Sequence, residues 1–382
     1  MKKKKAVVAG HICIDITPVF PGQRADRLEA VLAPGKLIHM NGVKVHTGGA
    51  VANTGLAMKI LGNDVSLMGK IGKDAFGSMV LDILAQYDAE GEMIVSEHSA
   101  SSYTVVLAVP GIDRVFLHDP GANDTFTRQD LNLDIIRDAA LFHFGYPPLM
   151  KEMYRNEGKE LVDMLQQIRE LGVAVSLDMA AIDSNSDAAD ADWYDILKKT
   201  LPYVDFFVPS AEELCYILDR KRYESWVMRA AGRDLTEILT IEDIKPLGEE
   251  VIKLGARVAL IKCGAPGLYY KTANGPKMQN LCNSLSLPVE SWMDKEGFER
   301  SYKPEAILSG TGAGDTSIAA FLTSVLREES LETALQMAAA TGACCVASYD
   351  ALSGLKPLDE LKEKIKQGWE KTGSDSNDST GL

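Results

Sequence analysis

The chain has 382 residues, of which 46% are hydrophobic and 25% charged. This balance excludes intrinsic disorder, a collagen-like repeat and a small disulfide scaffold. With 40 Lys and Arg against 54 Asp and Glu the net charge is −14, which excludes a general binder of nucleic acid or anionic membrane; a small anionic ligand would need a local site of backbone N–H groups or a few cations.

The chain opens on Lys2–Lys5 and an apolar run from Ala6. His11 and Asp15 interrupt that run and no A-x-A site follows, so it reads as a solvated basic start leading into a buried strand rather than a signal peptide. Further short apolar runs follow at Val65–Met68, Ala140–Phe144, Val173–Leu177, Val204–Val208 and Val258–Ile261. With Ala6–Ala9 these are the expected buried strands. Helical patterns lie between them at Asn53–Leu61, Phe76–Tyr87, Lys151–Leu171 and Leu247–Leu254. Such alternation argues for an α/β fold with a mostly parallel sheet covered on both faces.

Two segments break the alternation. Leu28–Thr47 and Ser101–His118 have strand-like composition with no helix between their halves, and Pro110-Gly111-Ile112-Asp113 makes a good turn inside the second. Both are expected to form antiparallel strands outside the main sheet, as a small lid. Asn274–Pro304 reads as a long irregular stretch without an assignable role. Helices are expected at Thr316–Leu326, Leu331–Ser348 and Pro357–Trp369, with Pro357 in a first turn. The expected organisation is one large domain over 1–371, with lid strands from about 18–47 and 101–118. The Ser/Asp/Asn/Gly-rich tail 372–382 is expected to be disordered.

The six cysteines, Cys13, Cys215, Cys263, Cys282, Cys344 and Cys345, contain no C-x-x-C pair. Neither zinc nor a thioredoxin-like dithiol is supported; free thiols in the cytoplasm are expected. No apolar stretch reaches the ~18 residues of a bilayer span.

The strongest chemical signal is Ser309-Gly310-Thr311-Gly312-Ala313-Gly314-Asp315, placed between the apolar Ala306–Leu308 and a helix. Glycines before a helix let several N–H groups converge, and with the helix dipole they make an anion site. A carboxylate there would repel an anion, unless it takes a proton from a hydroxyl that attacks the anion. Alternatively Asp315 caps the helix; the local sequence leaves both open. A second signal is Thr47-Gly48-Gly49 followed by Asn53: paired glycines admit a ligand close to the backbone, and Asn53 offers a donor and an acceptor. Asp15 lies just past the first strand, and ligands of parallel sheets bind outside the carboxyl ends of strands.

Gly48-Gly49 with Asn53, then Gly69-x-Ile71-Gly72-x-Asp74-x-Phe76-Gly77, then Gly312-Ala313-Gly314-Asp315 resemble the ribokinase-like carbohydrate kinases, the PfkB family. The match runs at intervals from about Val7 to about Leu355. It implies a three-layer αβα sandwich with a mostly parallel sheet and a small β lid, and transfer of the γ-phosphoryl of ATP to a hydroxyl of a sugar. It implies Asp315 as catalytic base and Gly312, Ala313 and Gly314 as the anion hole. Asp15, Gly48, Gly49 and Asn53 then match the sugar-hydroxyl binders. Lys262, Gly264 and Gly267 resemble the turn beside the nucleotide phosphates, and Gly342 falls in the adenine region, although it equally fits close helix packing. Glu213 matches an acid acting near Mg²⁺ through water.

Two positions depart from the family pattern. Ser210 replaces an Asn in the motif ending at Glu213, and Glu213 could equally be a first-turn helix acid. Ser309 stands where relatives often carry an Asp that helps hold a monovalent cation, which leaves activation by K⁺ open. Arg114, His118 and Gly121-Ala122-Asn123, in and after the second lid segment, are candidates for setting substrate choice. The resemblance also implies a homodimer joined through the lid. The alternatives are a nucleoside kinase of the same family, a catalytically idle sugar-binding regulator, and a dinucleotide-binding oxidoreductase. The last needs Gly where Asp315 stands, and its fingerprint belongs in the first βα turn.

Overall fold

The computed structural model describes residues 4–22, 24–112 and 114–373; Lys2 and Lys3 of the basic start and most of the expected tail, 374–382, lie outside them. Eight strands form the main sheet in the order Glu296–Arg300, Gly267–Thr272, Val258–Lys262, Phe206–Phe207, Ala174–Leu177, Leu141–Gly145, Lys5–Gly10 and Asp64–Met68. All six apolar runs expected as strands are in it. The neighbours from Val258–Lys262 to Asp64–Met68 are parallel, and the other edge is antiparallel.

Two hydrophobic clusters lie on the two faces. One holds Val51, Leu56, Ile318, Phe321 and Leu335 from Ala50–Ile60, Ala313–Leu326 and Leu331–Cys345. The other holds Leu161, Leu165, Ile196, Leu247 and Val251 from Lys151–Glu170, Trp193–Thr200 and Ile241–Leu254. The three-layer sandwich follows from strands that are apolar on both faces.

Asn274–Pro304 is not irregular. It folds as helices Pro276–Leu285 and Val289–Trp292 and the edge strand Glu296–Arg300. Its anchors Met278, Leu281, Cys282 and Leu285 are buried at the i, i+3, i+4, i+7 spacing of an amphipathic helix, a period that is present in the sequence.

The lid is a four-stranded sheet in the order Val43–Gly48, Cys13–Pro18, Tyr103–Leu107, Val115–Asp119. Two expectations need correction. Of Leu28–Thr47 only the end forms a strand, while Leu28–Val31 is a short helix. The lid also takes in Cys13–Pro18, a strand that lies ahead of both expected lid segments. At Gly10 (φ +126) the chain turns out of the main sheet, and a Cβ there would lie 2.3 Å from the Gly145 carbonyl oxygen. The lid is also not wholly antiparallel, because Cys13–Pro18 pairs parallel with Tyr103–Leu107.

Lys5–Gly10 is flanked by Asp64–Met68 on one side and Leu141–Gly145 on the other. The chain therefore winds away from Lys5–Gly10 in both directions. A crevice opens at such a switch point, outside the carboxyl ends of the strands. Gly10-His11 and Gly145-Tyr146 face it from the two strands, and the lid covers it.

Candidate active site

Asp315 sits in the first turn of the 14-residue helix Ala313–Leu326 and is buried. Its carboxylate does not cap that helix. Oδ2 accepts from Asn53 Nδ2 at 2.9 Å, and Oδ1 accepts from the Tyr146 hydroxyl at 2.6 Å. Three elements distant in sequence thus meet on one carboxylate. Burial pushes the Asp315 carboxyl up from its ordinary range, and Lys262, Tyr146 and Asn53 pull it back by favouring the charged form.

The glycine loop turns at Gly312, the N-cap of that helix, with φ +75. A Cβ at Gly312 would lie 2.2 Å from that of Ala351, so both the turn and the contact require glycine. Ala313 and Gly314 are the first two helical residues, where amides lack intrahelical partners. The Ala313 amide donates to Gly310 O at 3.3 Å, a long bond that an arriving anion can replace.

Lys262 ends the strand Val258–Lys262 with its side chain only 13% exposed. Its ammonium donates to Asp178 Oδ1 at 2.7 Å, and it runs beneath Gly314, whose added Cβ would lie 3.2 Å from Lys262 Cδ. Burial alone would lower its pKa; Asp178, Glu213 and Asp315 outweigh burial and hold it above the usual lysine range. Asp178 Oδ2 is buried without a hydrogen-bond partner among the described residues, and burial pushes this carboxyl up to about 8 despite Lys262.

Glu213 closes a capping box with Ser210: its carboxylate accepts from the Ser210 amide at 2.8 Å, and Ser210 Oγ accepts from the Glu213 amide at 3.2 Å. It lies close enough to Lys262, Asp178 and Asp315 to bias all three. Gly264 and Gly267 bracket the turn between the antiparallel strands Val258–Lys262 and Gly267–Thr272, closed by the Gly267 amide donating to Gly264 O. Gly342 packs against the neighbouring helix, where an added Cβ would lie 2.5 Å from Ser317 Oγ.

On the lid side, Gly48 pairs with Cys13 across the sheet, and its added Cβ would lie 2.3 Å from Asp15 Oδ2. Gly49 fits against His11 in the same way. Asp15 is held up by burial, and the Cys13 thiol donates to its Oδ1 at 3.3 Å. A cleft of about 730 Å³ lies between lid and glycine loop, lined among others by Asp15, Asn53, Val106, Arg114, Ile307 and Gly310. Two lid cations cross it: Arg114 donates to Ser309 Oγ at 3.3 Å, and Lys44 lies 4.2 Å over the Tyr349 ring. The cleft has the size of an ordinary small-molecule site.

Asn123 does not line the cleft as a specificity residue. Its side chain brackets the Ile12 backbone, with Oδ1 accepting from the amide and Nδ2 donating to the carbonyl. His118 does face inward: its Nε2 is 3.3 Å from His11 Nε2, and its Nδ1 is 3.0 Å from Thr104 Oγ1. Burial lowers both imidazoles, which favours their neutral forms. Sequence reasoning missed Tyr146, Asp178 and His11. All three follow directly on the carboxyl ends of main-sheet strands, and that position was the signal available.

The pfkB family carbohydrate kinase model matches residues 3–357. Fructokinase-2 of Oryza sativa subsp. japonica is 25% identical over 334 residues, which is 84% of this chain and 85% of that protein. An uncharacterised sugar kinase of Archaeoglobus fulgidus is 22% identical over 305 residues, 78% of this chain and 98% of that protein. Among solved structures, Arabidopsis thaliana ribokinase complexed with ribose and ATP superposes with a TM-score of 0.68 at 19% identity, covering 95% of this chain and 99% of that one. A ribokinase II from E. coli, in complex with ATP and Mg²⁺, gives 0.67 at 20% identity over 95% and 99% of the two chains. The α/β architecture, the lid over the crevice and the family match agree, and the chain belongs to the pfkB family of carbohydrate kinases.

Proposed function

We propose that the protein is an ATP-dependent sugar kinase in which Asp315 is the base and the Gly312–Gly314 backbone is the anion hole. The observation that carries this reading is the position of the Asp315 carboxylate, buried at the crevice and in the same first helical turn as the glycine-loop amides. A sugar hydroxyl gives its proton to Asp315 while its oxygen bonds the γ-phosphorus. The bond from that phosphorus to the β-bridging oxygen breaks, and ADP leaves. Such transfer depends on positioning and charge stabilisation more than on covalent help. The helix N-terminus and Lys262 supply positive potential where the phosphoryl passes, and the lid excludes water, the competing acceptor.

Asp15, Gly48, Gly49 and Asn53 are assigned to the sugar and Lys262 to the phosphates. Gly264, Gly267 and Gly342 are assigned to the nucleotide side; their tight packing supports a scaffold role there. ATP and Mg²⁺ are the expected donor complex. Mg²⁺ keeps several waters and binds through few carboxylates plus phosphates. No group of three or more metal-ligating side chains occurs among the described residues. Asp178 Oδ2, buried without a partner, and Glu213 fit an outer-sphere role, in which the ion would neutralise phosphate charge. K⁺ activation stays open, since Ser309 takes a hydrogen bond from Arg114 instead of presenting a carboxylate.

Homologues named as fructokinases support a hexose acceptor, and the ribokinase complexed with ribose supports a pentose. A nucleoside remains the second reading, supported by the cleft volume, which exceeds the need of one sugar ring. A cytoplasmic homodimer joined through the lid is part of the same proposal; Phe116 and Leu117 on one lid edge strand and Val43 and Val45 on the other are exposed. Sedimentation at micromolar concentration checks the dimer. The main test is coupled ADP release over hexoses, pentoses, keto-deoxy sugar acids and nucleosides, with and without K⁺. ADP formation that requires one of these acceptors supports the kinase; binding of a sugar without ADP formation would make the protein a regulator.

A further inference from the structure

Tyr146 is the residue that this chemistry leaves unexplained. It follows the strand Leu141–Gly145 and adopts a left-handed backbone, φ +69 and ψ +42. A bulky side chain rarely accepts that region. The next residues are Pro147 and Pro148, and a following proline disfavours helical backbone further. Strain of this kind persists only where the surroundings over-determine it, and it concentrates at functional sites. Here the backbone aims the phenol across the crevice, and its hydroxyl donates to Asp315 Oδ1 at 2.6 Å. The ring stands 6.1 Å from that of His11. Burial, then the charges of Asp315 and Asp178, push the phenol well above its ordinary range, so it stays a donor.

We infer that Tyr146 is a positioning residue that keeps Asp315 ionised and aimed, resting on the reading of Asp315 as base. A buried carboxylate tends to take up a proton, and a protonated Asp315 cannot act as base. A donor to the charged form opposes that uptake. The groups facing Asp315 are Asn53 from Ala50–Ile60, Lys262 from Val258–Lys262 and Glu213 from Ala211–Leu218; with them are Asp178 at the end of Ala174–Leu177, Asp15 from the lid and Cys345 from Leu331–Cys345. Of these, Lys262 and Asn53 also favour the charged form, whereas Glu213, Asp178 and Asp15 oppose it. Tyr146 fixes one of the two oxygens directly. The Asn53 amide holds the other, so the carboxylate plane is set from two sides before any acceptor arrives.

The test is Tyr146→Phe, which keeps the ring and the left-handed backbone and removes the hydroxyl. With an acceptor identified for wild type, the acid limb of the kcat/KM profile is expected to move up by about one pH unit, while the acceptor KM changes little. An unmoved acid limb would overturn the inference. So would tighter acceptor binding with undiminished kcat, because the phenol would then be a place-holder that the acceptor's hydroxyl displaces. A second readout needs no turnover: thermal unfolding at pH 8 of wild type, Y146F, D315N and the double variant. The Tm loss caused by Y146F is expected to be larger in the wild-type background than in D315N, and equal losses would overturn the inference. Should Y146F fail to accumulate, the double variant is expected to fold, since the neutral amide needs no charge-stabilising donor; failure of both would make Tyr146 scaffold alone. An enzyme without turnover on any acceptor, whose thermal cycle nonetheless shows the coupling, would reject the kinase reading and leave the Tyr146–Asp315 link standing.

Discussion

Lys262 and Asp178 form an ion pair, 2.7 Å between Nζ and Oδ1, beneath the first turn of the helix that carries Asp315, with the Asp178 side chain fully buried. With Glu213 and Asp315 close by, carboxylates outnumber ammonium groups there. Asp178 is pushed up to about 8 when folded, above the ordinary carboxylate value that it has unfolded. Its contribution to stability is then complete below that ordinary value and is lost as pH rises through about 8. The expected outcome is that Asp178→Asn gains on wild type as pH rises: the Tm difference, variant minus wild type, becomes more positive between pH 6 and 9. Lys262→Met should destabilise more at pH 9 than at pH 6, because Asp178 is charged and needs its cation only at the higher pH. Parallel Tm–pH curves for Asp178→Asn and wild type would show that Asp178 is not the titrating group.

Gly48 lies against Asp15 so closely that an alanine Cβ would meet Oδ2 at 2.3 Å. Gly48→Ala therefore has to move Asp15 or part the lid strands. If Asp15 binds the acceptor, KM for it should rise by between about tenfold and about a hundredfold, with ATP affinity unchanged. Gly91→Ala is the control, since nothing lies within 4 Å of its added Cβ. An unaltered acceptor KM in Gly48→Ala would remove Asp15 from the binding set.

How much of this was legible in the sequence depended on whether the signal was local. The apolar runs of the main sheet and the glycine loop before Asp315 are local, and they are where the sequence put them. Cys13–Pro18 is not legible as a lid strand because only two of its residues, Cys13 and Ile14, are buried, and its partners come from 25 to 35 and from 89 residues further on. Tyr146 lies in a Gly-Tyr-Pro-Pro turn whose local pattern says only that a strand ends; the bond to Asp315 spans 169 residues. Asp178 was equally visible as a charge ending an apolar strand, but its partner Lys262 is 84 residues away. Asn53 had been assigned to the sugar alone, and nothing local told of the carboxylate that its amide reaches.

The thiols give an independent check on packing. All six cysteines are free; Cys344 is half-buried and the other five are buried. Burial pushes Cys215 and Cys263 up to about 12, Cys345 up to about 11, and Cys344 up as well. The thiolate is the reactive form, so a disulfide reagent at pH 8 should label Cys344 first and slowly, and all six only after unfolding. Rapid native labelling of several thiols, or fewer than six in denaturant without reductant, would contradict the packing or the free state.

Asp315→Asn separates a base from a merely structural carboxylate. Asparagine keeps the size and an oxygen that can still accept from Tyr146 or Asn53, while it cannot take a proton from an acceptor hydroxyl. If Asp315 is the base, acceptor-dependent ADP release should fall by roughly two to four orders of magnitude. ATP binding should hold or tighten slightly, because a negative charge near the phosphates is gone. Asn53→Ala should act on the same step from the other side: it removes the donor to Oδ2, so kcat should fall along with the rise in acceptor KM that a pure binding role would give. The two effects are expected to be non-additive, since both variants disturb one hydrogen-bonded unit. Once the base is gone, losing the residue that aims it should matter less. An Asp315→Asn enzyme with near-normal turnover would reject the mechanism while leaving the fold and the family intact.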